Sequence, residues 1–372
     1  MQPQASPSRR PLFILSVAGG YGGAERNIEI LLPRILRTRR VVILAANPYH
    51  LARLRELPPA NLEIHAVDAA RDSFVREAGR ILIPRYLALR PSAIFANTLD
   101  SLRILSHVAG RVPQIDRHAF FCVHDFQWRD YEALLAALPR ATLLAPDRCV
   151  LEKPDYIGRF LRPDGPLRAR VLPNPVDLPE AEPRPLAADA AFLHLATVNG
   201  FKGHRHLAEA AALVRKRRPA IRIASYGHRP IPELYREILR HRENVGALPT
   251  LALHDHVADA SALLAACRAV LVTSVSDHGG PETFGRTIIE AWAQGRPVIA
   301  FAAGAPAHLV RHGTDGLLVE EKDTEGLADA IVRLHDDPAL ADRLGRAGRK
   351  RVGREFGSEV VLRQLLALLD GD

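Results

Sequence analysis

The chain is 372 residues long with 47% apolar and 25% charged residues, which describes an ordinary soluble globular protein with room for two full hydrophobic cores. Its net charge of +8 comes nearly all from arginine and suits an anionic ligand or surface; nucleic acid is set aside because no basic–aromatic interleaving accompanies the charge. No apolar run approaches the roughly 20 residues of a membrane span, and Cys122, Cys149 and Cys267 have neither metal-ligand nor CxxC spacing, so they read as buried thiols of a reducing compartment.

Ser8-Arg9-Arg10 precedes the apolar run 12–17, a faint likeness to a twin-arginine export signal. The run is short and ends in a glycine loop without a small-residue cleavage site, so it is read as a first β-strand. The loop 18–25 (AGGYGGAE) follows, then a helix with Ile28, Leu31, Leu32 and Ile35 on one face. Strand, glycine loop and helix make a phosphate-binding unit in the Rossmann manner. The spacing is not GxGxxG, however, and glycines serving a tight turn explain it equally well. Pro33 predicts a kink or a late start in that helix.

Further strand-like runs lie at 41–46, 62–67, 92–96, 119–123 and 141–145, with helical stretches between them, notably 72–89 and 100–109. This alternation implies a parallel, doubly wound sheet, in which ligand residues sit just past the strand C-termini. Asn97-Thr98 and His124-Asp125 occupy such places. The segment 179–190 is rich in proline and charge, as an interdomain connector should be. A second set then opens with a strand at 192–197, a loop holding Asn199 and Lys202, and a helix with Leu207, Ala211 and Val214 inward. A strand at 221–226, the run 251–257, amphipathic helices at 325–335 and 338–347, and a last helix near 358–369 continue the chain.

The stretch 271–301 carries the most chemistry. Leu271 to Val275 reads as a buried strand, Asp277 to Pro281 as a loop, and a helix begins near Gly285 with Ile288, Ile289 and Trp292 on its apolar face. Gly295 stops that helix, and Val298 to Phe301 forms the next strand. The amides of Gly285, Arg286 and Thr287 are helix N-terminal donors, where hydrogen bonds and the helix dipole together favour a phosphate. Glu282 lies at the ligand end. Glu290, two turns on, is either an exposed helix residue or a ligand for a ribose diol.

The run PETFGRTIIEAWAQGRPVIA, continued by HGTDGLLVEEKDTEGLADAI, resembles the Glu-x7-Glu signature of retaining glycosyltransferases of family 4, with Glu282 and Glu290 as its two glutamates. FKGH matches the family's KG step, GGAE its acceptor-side glycine loop, and VLPNPVD its iPNGVD segment with Pro175 in place of glycine. The resemblance implies an α/β GT-B architecture: two Rossmann-like doubly wound parallel-sheet domains facing a cleft. It places an acceptor-side domain at 1–178, a linker at 179–190, a nucleotide-sugar domain at 191–355 and a returning C-terminal helix at 356–372. The activity it implies is metal-independent, retaining transfer of a glycosyl unit from a UDP- or GDP-sugar to a glycan, lipid-linked or small-molecule hydroxyl, with no cofactor. Cell-envelope polysaccharide or glycoconjugate synthesis, in the cytoplasm and peripherally on an anionic membrane, is the implied setting. The arginine run 34–40 with Arg53, Arg55, Arg76 and Arg80 is the candidate membrane contact.

By the same resemblance Lys202, otherwise a solvated lysine, neutralises the diphosphate with the 285–287 amides. Glu282 holds donor-sugar hydroxyls, His124 orients the sugar, and Glu290 holds ribose. Gly22, Gly23 and Asn199 complete the expected nucleotide-sugar contacts. The sequence departs from the pattern twice: Thr197 stands where the family has a phosphate-binding arginine, and His308 where it has a glutamate. Arg286, Asn199 and His204 are the candidates to replace the arginine. The departures keep two alternatives open, a non-catalytic GT-B subunit that binds a nucleotide sugar or a partner enzyme, and a nucleotide-sugar epimerase.

Overall fold

The computed structural model describes residues 10–124, 131–152, 168–183 and 185–370. Asp125 and Ser8-Arg9 lie outside them. The chain divides into two compact units, Met1–Pro175 with Ser358–Asp372, and Val176–Gly357.

The first unit is a seven-stranded sheet in the order β3-β2-β1-β4-β5-β6-β7, parallel throughout. Its strands are β1 (Leu12–Ser16), β2 (Val41–Ala45), β3 (Leu62–Ala66), β4 (Ala93–Ala96), β5 (Ala119–Cys122), β6 (Thr142–Ala145) and β7 (Arg168–Val171). Every residue of β1, β2 and β4 is buried, as continuous apolar strands covered on both faces must be. The edge strand β7, Arg-Ala-Arg-Val, is exposed at three of its four residues and has no apolar run that would announce it. The helix after β1 spans Gly23–Ile35 and passes through Pro33, so it has no late start. Ile28, Leu31, Leu32 and Ile35 share a core with Val361, Leu362, Leu365 and Leu369 of the last helix, Ser358–Asp370. Arg34 reinforces this packing through Glu359 at 2.9 Å, and the buried Arg39 through Asp370. Arg40 pairs with Glu63 at 3.0 Å. Arg34 and Arg39 are thus engaged in the packing of the last helix, while Arg37, Arg40, Arg55, Arg76 and Arg80 are exposed.

The second unit has a six-stranded parallel sheet, β10-β9-β8-β11-β12-β13. It comprises β8 (Phe192–Leu195), β9 (Ile223–Tyr226), β10 (Leu251–His254), β11 (Val270–Val272), β12 (Val298–Phe301) and β13 (Gly316–Val319). The segment 179–190, expected as a connector, is fastened to this unit. Arg349 donates to Pro179 O at 2.6 Å and Ala181 O at 3.0 Å, and Arg268 donates to Ala187 O at 2.9 Å and Ala188 O at 3.0 Å. In both sheets the strand order reverses beside the first strand, at β1/β4 and at β8/β11. Loops at the carboxyl ends diverge at such a switch and leave room for a ligand. Among the described residues no helix is long and apolar enough to cross a membrane.

Candidate active site

The loops after β8 and β11 flank the switch point of the second unit and are tied to each other. Strand β11 ends at Val272, earlier than the apolar run suggests, because the next residues bond to the neighbouring loop rather than to the sheet. Thr273 Oγ1 donates to Lys202 O at 2.9 Å, and Val275 N donates to Phe201 O at 2.7 Å. Asn199 Oδ1 accepts from Lys202 N at 3.0 Å, closing the turn 199–202. Gly203, at φ +71°, then starts the helix His204–Arg217. A Cβ there would sit 1.8 Å from Thr273 O, so only glycine permits this approach.

These contacts bring Lys202 against Glu282, 80 residues away in sequence, as an ion pair between Lys202 Nζ and Glu282 Oε1. Ser274 Oγ donates to the same carboxylate oxygen at 2.9 Å. The two charged side chains are 20% and 17% exposed, enough shelter to strengthen the pair and enough access for a ligand. The backbone of Glu282 is fixed as well, its carbonyl accepting from Ala305 N at 2.9 Å in the turn that follows β12. Ser274 is a site residue that the sequence did not single out; a polar residue inside the run read as strand 271–275 was the available signal.

Gly285, at φ +80°, begins the helix Arg286–Ala293, whose buried Ile288, Ile289 and Trp292 anchor it to the core. Arg286 Nε lies 2.8 Å from Glu290 Oε1, one turn on, in an ion-pair contact whose angle falls outside hydrogen-bond geometry. Glu290 is thus engaged by a cation of its own helix. Thr287 is half-buried in the same first turn. Thr197 is half-buried just past β8, and His308 is exposed on the short helix Ala305–Leu309. A cavity of about 720 Å³ lies beside the Asn199–Gly203 loop, lined by Phe201, His204, Glu209, Ile238 and His278. Neither Glu282 nor Glu290 is among its lining residues.

Buried histidines support the Lys202 loop. His194 Nδ1 meets Ser225 Oγ at 2.9 Å, its Nε2 meets Thr273 Oγ1 at 3.3 Å, and His204 packs edge-on against it at 4.8 Å. Burial, then the charge of Lys202, pushes His204 down to about 4, and burial with the neighbouring His204 holds His194 well below the usual range. Both rings are neutral at pH 7.

In the first unit, Gly22 precedes the helix Gly23–Ile35, and its N–H donates to Glu25 Oε2 at 2.8 Å. This is the capping-box contact from the N3 glutamate back to the cap residue. Gly22 and Gly23 are both exposed. The structure brings together the two strand-end candidates, Asn97 after β4 and His124 after β5, at 3.2 Å. Asn97 spends its amide N–H on Ala24 O at 2.8 Å, so its Oδ1 accepts from His124 Nε2–H. Burial pushes the His124 imidazole down to about 4, partly offset by Asn97, leaving it neutral with a fixed tautomer.

Comparison with known proteins shows what this geometry is similar to. Residues 190–337 match the glycosyl transferases group 1 family. The match covers the second unit's strands and includes Glu282 and Glu290. A lipopolysaccharide core biosynthesis glycosyltransferase, LpsD of Rhizobium meliloti, is 38% identical over 89 residues, 24% of this chain and 26% of that protein. An exopolysaccharide phosphotransferase of Streptomyces coelicolor is 28% identical over 276 residues, 74% of this chain and 25% of that one. The chain spans about a quarter of the length of these curated relatives. The solved structure of Anabaena HepE in complex with UDP-glucose superposes with a TM-score of 0.79 at 20% identity, over 97% of this chain and 100% of that one. That likeness shows the fold, two Rossmann-like parallel-sheet units as in GT-B glycosyltransferases.

Proposed function

We propose that the protein is a retaining glycosyltransferase that moves a sugar from a UDP- or GDP-sugar to a hydroxyl of a glycan or lipid-linked acceptor in envelope polysaccharide synthesis. The observation that carries this reading is the Lys202–Glu282–Ser274 cluster, built by two interlocked loops at the β8/β11 switch point within the group 1 match. The relatives' names, lipopolysaccharide core and exopolysaccharide enzymes, and the UDP-glucose bound in HepE support the substrate class.

In this reading the cluster opens on binding. Lys202 Nζ turns from Glu282 to the diphosphate, where negative charge grows as the glycosidic bond breaks, and Glu282 is released to accept from sugar hydroxyls. The amides of Arg286 and Thr287 lie at a helix N-terminus that favours the same charge. Glu290 reaches ribose on exchanging its Arg286 contact, and Arg286 becomes the cation that Thr197 does not provide. Asn199 holds the loop shape, and His124 presents a neutral, oriented ring to a substrate hydroxyl. A lysine and backbone amides neutralise the leaving group, so activity survives EDTA. Loss on chelation with rescue by manganese or magnesium would overturn this part.

Release of free nucleoside diphosphate from a panel of UDP- and GDP-sugars, with a saccharide acceptor panel present, tests the whole reading. A second reading, a nucleotide-sugar-binding subunit without activity, is favoured by Thr197 and His308. Tight nucleotide binding with neither transfer nor hydrolysis across both panels would establish it. The exposed Arg37, Arg55, Arg76 and Arg80 would carry a peripheral contact with anionic membrane. Flotation on anionic but not neutral vesicles, weakened by salt, is the expected result.

A further inference from the structure

Among the described residues, the exposed large apolar side chains include two aromatics, Tyr21 at 39% and Tyr49 at 45%, and they touch. Their rings meet edge to face, 4.7 Å apart at 78°. Both stand at the carboxyl edge of the first sheet, Tyr21 in the glycine loop after β1 and Tyr49 in the helix Pro48–Arg55 after β2. Exposed tyrosines usually turn freely, and a ligand that stacks on one must immobilise it. Here that immobilisation is built in. Tyr21 Oη donates to Glu29 Oε2 at 2.9 Å, and Glu29, only 7% exposed, is itself held by the fully buried His50 at 2.8 Å and by Arg53 at 2.9 Å. Burial opposes ionisation of Glu29, but the hydrogen bonds from His50 and Tyr21 keep its carboxyl below the usual range, so the anchor is charged. Asn47 locks the two elements to each other, accepting from Tyr49 N at 3.0 Å and donating to Gly19 O at 3.1 Å. A Cβ at Gly19 or Gly20 would meet nothing within 4 Å, so the space beside the rings is open.

We infer that Tyr21 and Tyr49 form a preorganised platform on which a pyranose ring of the acceptor stacks. A pyranose presents a face of C–H bonds, which suits the electron-rich face of an aromatic ring, and a rim of hydroxyls. The rim finds donors in Arg53 and Arg26, whose side chains are 41% and 43% exposed around Glu29. A lipid tail would have no use for that charged rim, and a bare phosphate none for the aromatic faces. The inference rests on the glycosyltransferase reading and narrows its acceptor to a saccharide.

Saturation-transfer NMR on the full chain, with the methyl glycosides of glucose, galactose, mannose and N-acetylglucosamine as probes, tests it. At least one pyranoside should show saturation of its ring protons. Tyr21→Ala and Tyr49→Ala should each weaken that binding by roughly tenfold, and Tyr21→Phe, which keeps the ring and loses the Glu29 anchor, by a smaller factor. UDP and GDP binding, followed by thermal shift on the same variants, should not change. No saturation with any of the four probes, or saturation that persists in the Tyr21→Ala/Tyr49→Ala double variant, overturns the platform. Failure of the transferase reading is separate, since it appears as absent nucleotide binding and absent nucleoside diphosphate release in the unsubstituted protein.

Discussion

Glu282 Oε1 accepts from both Lys202 Nζ and Ser274 Oγ, so two donors converge on one half-sheltered oxygen. Truncating one member of a buried charge-assisted contact costs about 2–5 kcal/mol, much of it from the partner left unpaired. Lys202→Ala is therefore expected to lower the transfer rate by roughly 30- to 5,000-fold, with the fold intact by circular dichroism. A change under about threefold would remove Lys202 from the chemistry. Glu290 calls for a different comparison because of its 2.8 Å contact with Arg286. If it holds ribose, Glu290→Ala weakens binding of the bare nucleoside diphosphate. If it serves only to restrain Arg286, the same variant leaves affinity unchanged or tightens it by freeing a cation, and calorimetry separates the two. The i,i+4 spacing of Arg286 and Glu290 could be read from the sequence. The Lys202–Glu282 pair could not, since only the folding of two loops onto each other brings residues 80 apart together.

At the scale of elements, the strands were legible because each is a short apolar run bounded by polar or glycine residues. Runs expected at 41–46, 62–67 and 119–123 form β2, β3 and β5 within one or two residues. Strand β7 was not legible, since an exposed edge of alternating arginines carries no hydrophobic signature. The shortened β11 shows the converse: Thr273 to Val275 look like strand, but Thr273 and Val275 bond to the Lys202 loop and Ser274 to Glu282. The narrowest constraint in that loop is Gly203, where φ is +71° and a Cβ would lie 1.8 Å from Thr273 O. Gly203→Ala must pay about 1–2 kcal/mol for the left-handed backbone alone, and further cost follows from pushing the two loops apart. The expected outcome is a lower melting temperature and a larger loss of turnover than stability explains. An alanine variant with unaltered melting and turnover would show that the loops do not need to touch.

For the whole molecule, three sheltered histidines make stability fall in acid. His124 and His204 are each pushed down to about 4 and His194 well below its usual range, all chiefly by burial. Their unfolded values lie near 6.5, so the unfolded chain binds more protons between the two limits. Stability from this source is present above about pH 6.5 and is lost as pH falls toward 4. His204 alone, 3% exposed, is expected to contribute on the order of 3 kcal/mol to that loss. Thermal melts from pH 7.5 to 4.5 should fall steeply below 6.5, and His204→Gln should flatten the fall. A melting temperature level across that range would mean that the rings titrate normally and that the Lys202 loop is more open than described.

The central claim is transfer with retention from a nucleotide sugar through the Lys202–Glu282 cluster, and proton NMR of the anomeric region tests it most directly. The protein is incubated with α-linked UDP- and GDP-sugars and the saccharide acceptors, alongside Lys202→Ala. The account predicts a new α-anomeric signal that grows as the donor signal falls, matched by nucleoside diphosphate, and slowed by the expected factor in the variant. A β-configured product, or a donor signal that stays constant with every acceptor, would contradict it.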